Sequence, residues 1–148
     1  MKIKFNKKDI SKVSEKILDK SIKTKTNKAM ILALSGDLGA GKTTLTQEFA
    51  KQLGIKENIV SPTFVIMKIY EIRKNFIPEP NFKKLIHIDA YRLESYNELL
   101  KIGWEEIIGN KDNLVIIEWP EKVKDIIPLD VFNINLIHIN EMTRLIEF

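Results

Sequence analysis

A chain of 148 residues, 44% hydrophobic and 30% charged, can bury one ordinary core and is too apolar to remain disordered. The absence of cysteine excludes disulfide scaffolds, zinc ribbons, iron–sulfur clusters and thiol nucleophiles, and two histidines, His87 and His138, argue against a histidine-rich metal site. The net charge of +4 is local, since residues 1–28 hold ten Lys against Asp9, Glu15 and Asp19 and the remainder is net acidic.

That basic segment reads first as a solvated face and second as a weak electrostatic docking surface. No apolar run approaches the roughly 18 residues of a membrane span, and the Lys-rich N-terminus lacks the apolar core of a signal peptide. The expectation is one soluble, cytoplasmic domain covering residues 1–148, with no membrane partner.

In chain order, Ile3 and Phe5 alternate with Lys as on a short edge strand, and Asn6 can cap a helix with Asp9 in its first turn. Ile10, Val13, Ile17 and Ser21 continue as a helical stripe. Ala29–Ser35 is a near-continuous apolar run, the pattern of a central strand covered on both faces. After a loop at Gly36–Gly41, Leu45, Phe49 and Leu53 recur at i, i+4 and i+8, and Gly54 ends the helix. Thr63–Ile72 is rich in β-branched and aromatic residues and reads as a strand. Leu85–Ala90 follows as another, behind a loop at Pro78–Pro80. Ser95 and Glu98 form a candidate capping box for a helix that Gly103 closes. Leu114–Glu118 is a second buried strand, stopped by Pro120, and Val131–Ile139 with Met142–Phe148 predicts a C-terminal β-hairpin turning at Asn140–Glu141. The predicted fold is α/β, a mixed central sheet with helices on both faces, and the G-x-x-x-x-G-K-[ST] match at 36–43 makes it P-loop NTPase-like.

The strongest chemical signal is Gly36-Asp37-Leu38-Gly39-Ala40-Gly41-Lys42-Thr43, which fits G-x-x-x-x-G-K-[ST] with a strand before it and a helix after it. Its glycines let successive N–H groups turn towards a phosphate, and the positive end of the following helix adds to the field. Lys42 is expected to neutralise β/γ-phosphate oxygens, Thr43 to ligate Mg²⁺, and Thr44 to reach the α-phosphate. A carboxylate must complete the metal site from a neighbouring strand end, and Glu118 and Asp89 are the candidates. His87 shares a face with Asp89 and reads as a satisfied strand histidine rather than a ligand. Thr63, in Ser61-Pro62-Thr63-Phe64, is either a γ-phosphate sensor or part of a plain turn. Trp119 is either a nucleotide-covering residue or a core aromatic.

The segments GDLGAGKTT at 36–44, SPTF at 61–64, HIDAYR at 87–92 and IEWPE at 117–121, in that order and with Glu98-Leu99 and Gly103 between the last two, resemble the bacterial TsaE (YjeE) family. The resemblance spans about residues 29–128. It implies an ATPase supporting threonylcarbamoyl modification of the adenosine beside the anticodon in tRNA. ATP would be held by Asp37, Leu38, Gly39, Ala40, Gly41, Lys42, Thr43 and Thr44, with Thr63 nearby. Mg²⁺ would be bound through Thr43 and Glu118, and Asp89 would lie close to the metal and γ-phosphate, with Lys42 and Asp89 as the catalytic pair. The implied partners are a TsaD-like transferase and a TsaB-like paralogue, with tRNA met indirectly through their complex and ATP hydrolysis letting the transferase cycle. One departure stands at Ile10 and Ser11, where many members carry a Thr near the nucleotide base.

The rival classes fare worse. A small-molecule P-loop kinase usually clamps its substrates with several arginines, and this chain has Arg73, Arg92 and Arg144 only. A GTPase needs N/T-K-x-D, whereas Asn110-Lys111-Asp112-Asn113 places Asp one position early and before a strand. A tRNA-binding module without turnover would rest on the N-terminal lysines alone, with no aromatic stacking platform.

Overall fold

Consecutive aliphatic side chains from Met30 to Leu34 point alternately to opposite faces, so the strand they form needs cover on both sides. The computed structural model describes residues 1–24, 26–73 and 82–148. In it the strand β2 (Met30–Ser35) lies inside a seven-stranded sheet, which also contains β1 (Lys2–Asn6), β3 (Met67–Glu71), β4 (Lys84–Asp89), β5 (Asn113–Glu118), β6 (Phe132–His138) and β7 (Thr143–Glu147). The order among the described residues is β1-β7-β6-β2-β5-β4-β3. The centre β6-β2-β5-β4 is parallel, and the flanking pairs β1–β7, β6–β7 and β3–β4 are antiparallel. The sheet is therefore mixed, as expected, and the hairpin forms with its turn at Asn140, whose Oδ1 accepts from the Met142 and Thr143 N–H groups at 3.0 and 2.9 Å.

Two cores follow from the alternation. Leu32 and Leu34 face α1 (Ile10–Ile22) and α2 (Lys42–Gln52), together with Phe5, Ile17, Phe49 and Ile116. Ile31 and Ala33 face α3 (Tyr96–Lys101), α4 (Trp104–Gly109) and the 3₁₀ segment Pro120–Ile126, with Leu99, Trp104, Ile117 and Val123. Phe49 is completely buried beneath α2, so truncating it to Ala would cost about 3–5 kcal/mol. Gln52 ties the two helices of the first layer together by donating to the Ser11 carbonyl at 2.9 Å and bonding the Ser14 hydroxyl. No helix among the described residues is long and apolar enough to cross a membrane. The N-terminal lysines at 2, 4, 7, 8, 12, 16, 20, 23 and 28 are exposed.

Three boundaries differ from the sequence reading. The strand expected from Thr63 begins only at Met67, because Val65 N–H turns back to the Pro62 carbonyl at 3.2 Å and Ile66 takes φ 68°, which breaks any ladder. Asn6 caps a 3₁₀ turn, Lys7–Asp9, and α1 starts one turn later. Gly103, at φ 94°, both accepts the end of α3 and starts α4, a helix the sequence reading did not separate. The capping box of Ser95 and Glu98 is formed. The loop expected at Pro78–Pro80 lies outside the described residues.

Candidate functional site

The carboxyl ends of β2, β4 and β5 reach the same sheet edge. Glu118 stands opposite both Leu34 and Asp89 in the parallel register, so the two candidate carboxylates and the start of the glycine loop form one row. The edge where parallel strands end is where open α/β sheets bind ligands.

The loop itself is shaped by its glycines at two points in particular. A Cβ on Gly36, at φ 136°, would collide with the Leu136 carbonyl oxygen of β6, so the chain can pass that strand only without a side chain. Gly41, at φ 109°, turns the backbone into α2 at Lys42. Lys42 folds back over the loop, where its amine donates to the Gly36 and Asp37 carbonyls at 2.5 and 2.9 Å and lies 3.9 Å from the centre of the Trp119 ring. Burial lowers its pKa from the usual 10.5, against the opposing pull of Glu118, Glu121, Asp89 and Asp37.

Thr43, one residue on, donates from Oγ1 to both Glu118 oxygens at 3.0 and 3.2 Å. Glu118 Oε1 also lies 2.8 Å from Nε2 of His87, whose ring is wholly buried. His87 Nδ1 has no hydrogen-bond partner among the described residues. The histidine is thus paired inside the sheet through Nε2 alone, short of the fully satisfied strand histidine expected, and the sequence does not show its pairing with Glu118. Parallel register permits it, because His87 stands opposite Ile116 and Glu118 projects from the same face two residues on.

Asp89 forms a second knot. Its Oδ2 accepts from the hydroxyls of Ser61 and Thr63 at 2.5 and 2.8 Å, and its Oδ1 accepts from the Tyr91 N–H at 2.9 Å. The turn at Pro62–Val65 is what delivers Thr63 to Asp89. Ser61 shares the carboxylate equally and was not singled out from sequence, although its spacing of two from Thr63 was visible.

These groups wall a cleft of about 330 Å³ lined by Leu38, Gly39, Gly41, Lys42, Thr43, Thr44, Thr63, Asp89 and Glu118, with Ser61, Tyr91 and Trp119. Asp37 and Ala40 do not line it. Asp37 contributes its carbonyl to Lys42, and the Ala40 side chain is buried behind the loop. Trp119 sits in the cleft with its ring tilted against Tyr91 at 5.0 Å between centroids. Its backbone takes the left-handed region at φ 59°, a conformation costing of order 1–3 kcal/mol for a residue with a side chain. Trp119 N–H donates to the Leu34 carbonyl at 3.2 Å, fixing that turn to the end of β2.

Comparison with known proteins gives a consistent picture. The family model described as "Threonylcarbamoyl adenosine biosynthesis protein TsaE" matches residues 6–146. A Rickettsia typhi protein named tRNA threonylcarbamoyladenosine biosynthesis protein TsaE is 38% identical over 116 residues, 78% of this chain and 74% of that one. A Rickettsia felis protein of the same name is 36% identical over 142 residues, 95% of this chain and 75% of that one. The crystal structure of Bacillus subtilis YdiB superposes with a TM-score of 0.66 over 99% of this chain and 83% of its own, at 23% identity, a likeness of fold.

Proposed function

This chain belongs to the TsaE family, and from that membership we propose that it binds Mg²⁺–ATP in the cleft and hydrolyses it in support of tRNA threonylcarbamoyladenosine biosynthesis. The observation that carries the reading is the Thr43 hydroxyl held against the Glu118 carboxylate at the mouth of a phosphate loop. A hydroxyl and a carboxylate oxygen are hard donors, and one or two such ligands beside phosphate oxygens and water are what Mg²⁺ takes from a protein. The cation, once bound by Thr43 and Glu118, would neutralise charge developing on the phosphate oxygens.

The chain's own groups supply the rest. Lys42 is held over the loop by two carbonyls, so a polyphosphate would compete for an amine already aimed at the cradle. Gly39 and Gly41 leave the backbone open to close approach. Hydrolysis needs a water oxygen to attack the γ-phosphorus while the bond to the ADP oxygen breaks. Asp89 is the group suited to orient that water, because its carboxylate is fixed by Ser61, Thr63 and the Tyr91 N–H and faces the cleft. Arg92 stacks on the Phe64 ring at 4.5 Å and does not line the cleft, so the chain supplies no arginine to the γ-phosphate from this position. Turnover is accordingly proposed to be slow alone and raised by a TsaD-like transferase with its TsaB-like paralogue, whose cycle it would serve.

The test pairs a melting curve with phosphate release. At about 100-fold excess over Kd, a ligand adds roughly 2.7 kcal/mol, a shift of about 5–10 °C for a domain of this size. ATP with Mg²⁺ is expected to give that shift and GTP a smaller one, and phosphate release is expected to rise on adding the partner heterodimer. A shift with GTP alone, or full activity unchanged by the heterodimer, overturns the reading.

A further inference from the structure

Arg144 of β7 is 6% exposed, yet among the described residues no carboxylate pairs with it. Among the described residues, its Nε and Nη1 donate to backbone carbonyls. Nε donates to Ala40 in the phosphate loop at 3.0 Å, and Nη1 donates to Asn140 and Thr143 in the hairpin at 2.5 and 3.0 Å. A buried cation without a counter-ion is costly, so its placement requires a return elsewhere in the structure.

The return lies in the peptide that Arg144 grips. The Ala40 carbonyl and the Gly41 N–H belong to one planar trans peptide and point in opposite directions. Ala40 is buried on the side of Arg144, and Gly41 lines the cleft. A hold on the carbonyl from behind therefore aims the N–H forward. Gly41 has no Cβ to restrict its own backbone, so the direction has to be imposed from outside. A planar fork with donors set apart can reach loop and hairpin together, which a lysine amine does not reproduce. The unneutralised charge also adds to the field of Lys42 and the start of α2.

We propose that Arg144 is the positioning residue of the phosphate loop, fixing the Ala40–Gly41 peptide so that the Gly41 N–H faces a nucleotide phosphate oxygen. The proposal rests on the nucleotide reading above and extends it to a strand that carries none of the motifs at 36–44, 61–64, 87–92 or 117–121.

The test uses the full chain with ADP as probe, followed by calorimetry and by amide NMR of the wild type and of Arg144→Lys and Arg144→Met. In the wild type, ADP is expected to move the Gly41 amide resonance strongly, and the Arg144 Nε–H to be protected from exchange. In both variants ADP is expected to bind about 10-fold or more weakly, with a muted Gly41 response, while amides of α1 and α3 keep their positions. Folded variants that bind ADP within twofold of wild type overturn the proposal. A wild-type Gly41 amide unmoved by bound ADP overturns it as well, even if neither variant folds. A wild type that binds no nucleotide while the Nε–H stays protected refutes the nucleotide reading instead, which separates the two failures.

Discussion

Thr43 and Glu118 lie 75 positions apart in the chain, and the Thr43 hydroxyl meets both oxygens of the carboxylate at 3.0 and 3.2 Å. Sheet order produces this meeting. β5 lies beside β2, Glu118 stands opposite Leu34, and α2 starts just past the end of β2. His87 Nε2 lies 2.8 Å from the same Oε1 that Thr43 meets at 3.0 Å. The carboxylate's orientation is a product of folding, which lowers the reorganisation a metal-bound nucleotide would demand.

Replacing Glu118 by Ala is expected to weaken nucleotide binding in Mg²⁺ about 10-fold or more and to change binding in EDTA little, read by mant-ATP titration. The same substitution strips His87 of its partner inside the sheet, so a loss of about 1–3 kcal/mol in urea unfolding accompanies it. Wild-type affinity for Mg²⁺–ATP in Glu118→Ala would remove this residue from the metal site.

Asp89→Ala is expected to separate binding from turnover. Affinity should stay within about threefold, while phosphate release with the partner heterodimer falls by about 10²–10⁴-fold, the usual weight of a positioning or general-base carboxylate. Should Asp89→Ala instead abolish the Mg²⁺ dependence of binding, the roles assigned to the two carboxylates are reversed.

Two glycines of the loop are expected to respond differently to alanine. Gly39, at φ 77°, has open space where a Cβ would go, so Gly39→Ala meets only the left-handed backbone cost of about 1–2 kcal/mol. Gly36→Ala adds a collision with backbone, the Leu136 carbonyl, which a side-chain rotation cannot relieve. Melting curves should therefore rank Gly36→Ala well below Gly39→Ala, and equal losses would show that β6 does not crowd the loop.

The depressed pKa of Lys42 gives a pH dependence of definite sign. The folded chain releases this proton below 10.5, whereas the unfolded chain holds it to about 10.5. Between those values the unfolded state binds more protons, so the contribution of Lys42 makes stability rise with pH across that window and leaves it flat below. The difference in urea-unfolding stability between wild type and Lys42→Met should therefore shift in favour of the wild type as pH rises from neutral to about pH 11. Bound phosphate would favour the charged amine, so saturating nucleotide is expected to flatten it.

What the sequence made legible was local. The apolar run of β2, the glycine loop and the stripe of Leu45 and Phe49 lie within one stretch, and each element agrees with its neighbours in period and punctuation. Thr63 lies in the turn that Ser61-Pro62-Thr63-Phe64 suggests, whereas the strand start is misplaced by β-branched and aromatic surroundings that match strand propensity, because the backbone geometry at Val65 and Ile66 is not encoded in composition. The partners of His87 and Arg144 were illegible for a different reason. Both depend on which strands lie side by side, and a buried arginine bonded to carbonyls leaves no charge pattern to read. Trp119, open between two readings, lies against Lys42 in the cleft because its left-handed turn follows Glu118 directly.

The tether from Arg144 to Ala40 spans 104 positions, and the carbonyl that crowds Gly36 belongs to β6. The glycine loop is complete as a sequence early in the chain, but its rear wall is made by β6 and β7, which follow every motif of the site. On the proposed function, nucleotide competence would therefore come only once β6 and β7 have joined the sheet. A nascent chain that has emerged only through β5 carries every motif of the site without the surface that shapes the loop. Pairing strands so distant in the chain is slow, so ATP, bound as proposed, would not guide the earlier steps of folding. Such a ligand would trap only the finished fold, and half-made chains would not compete for it.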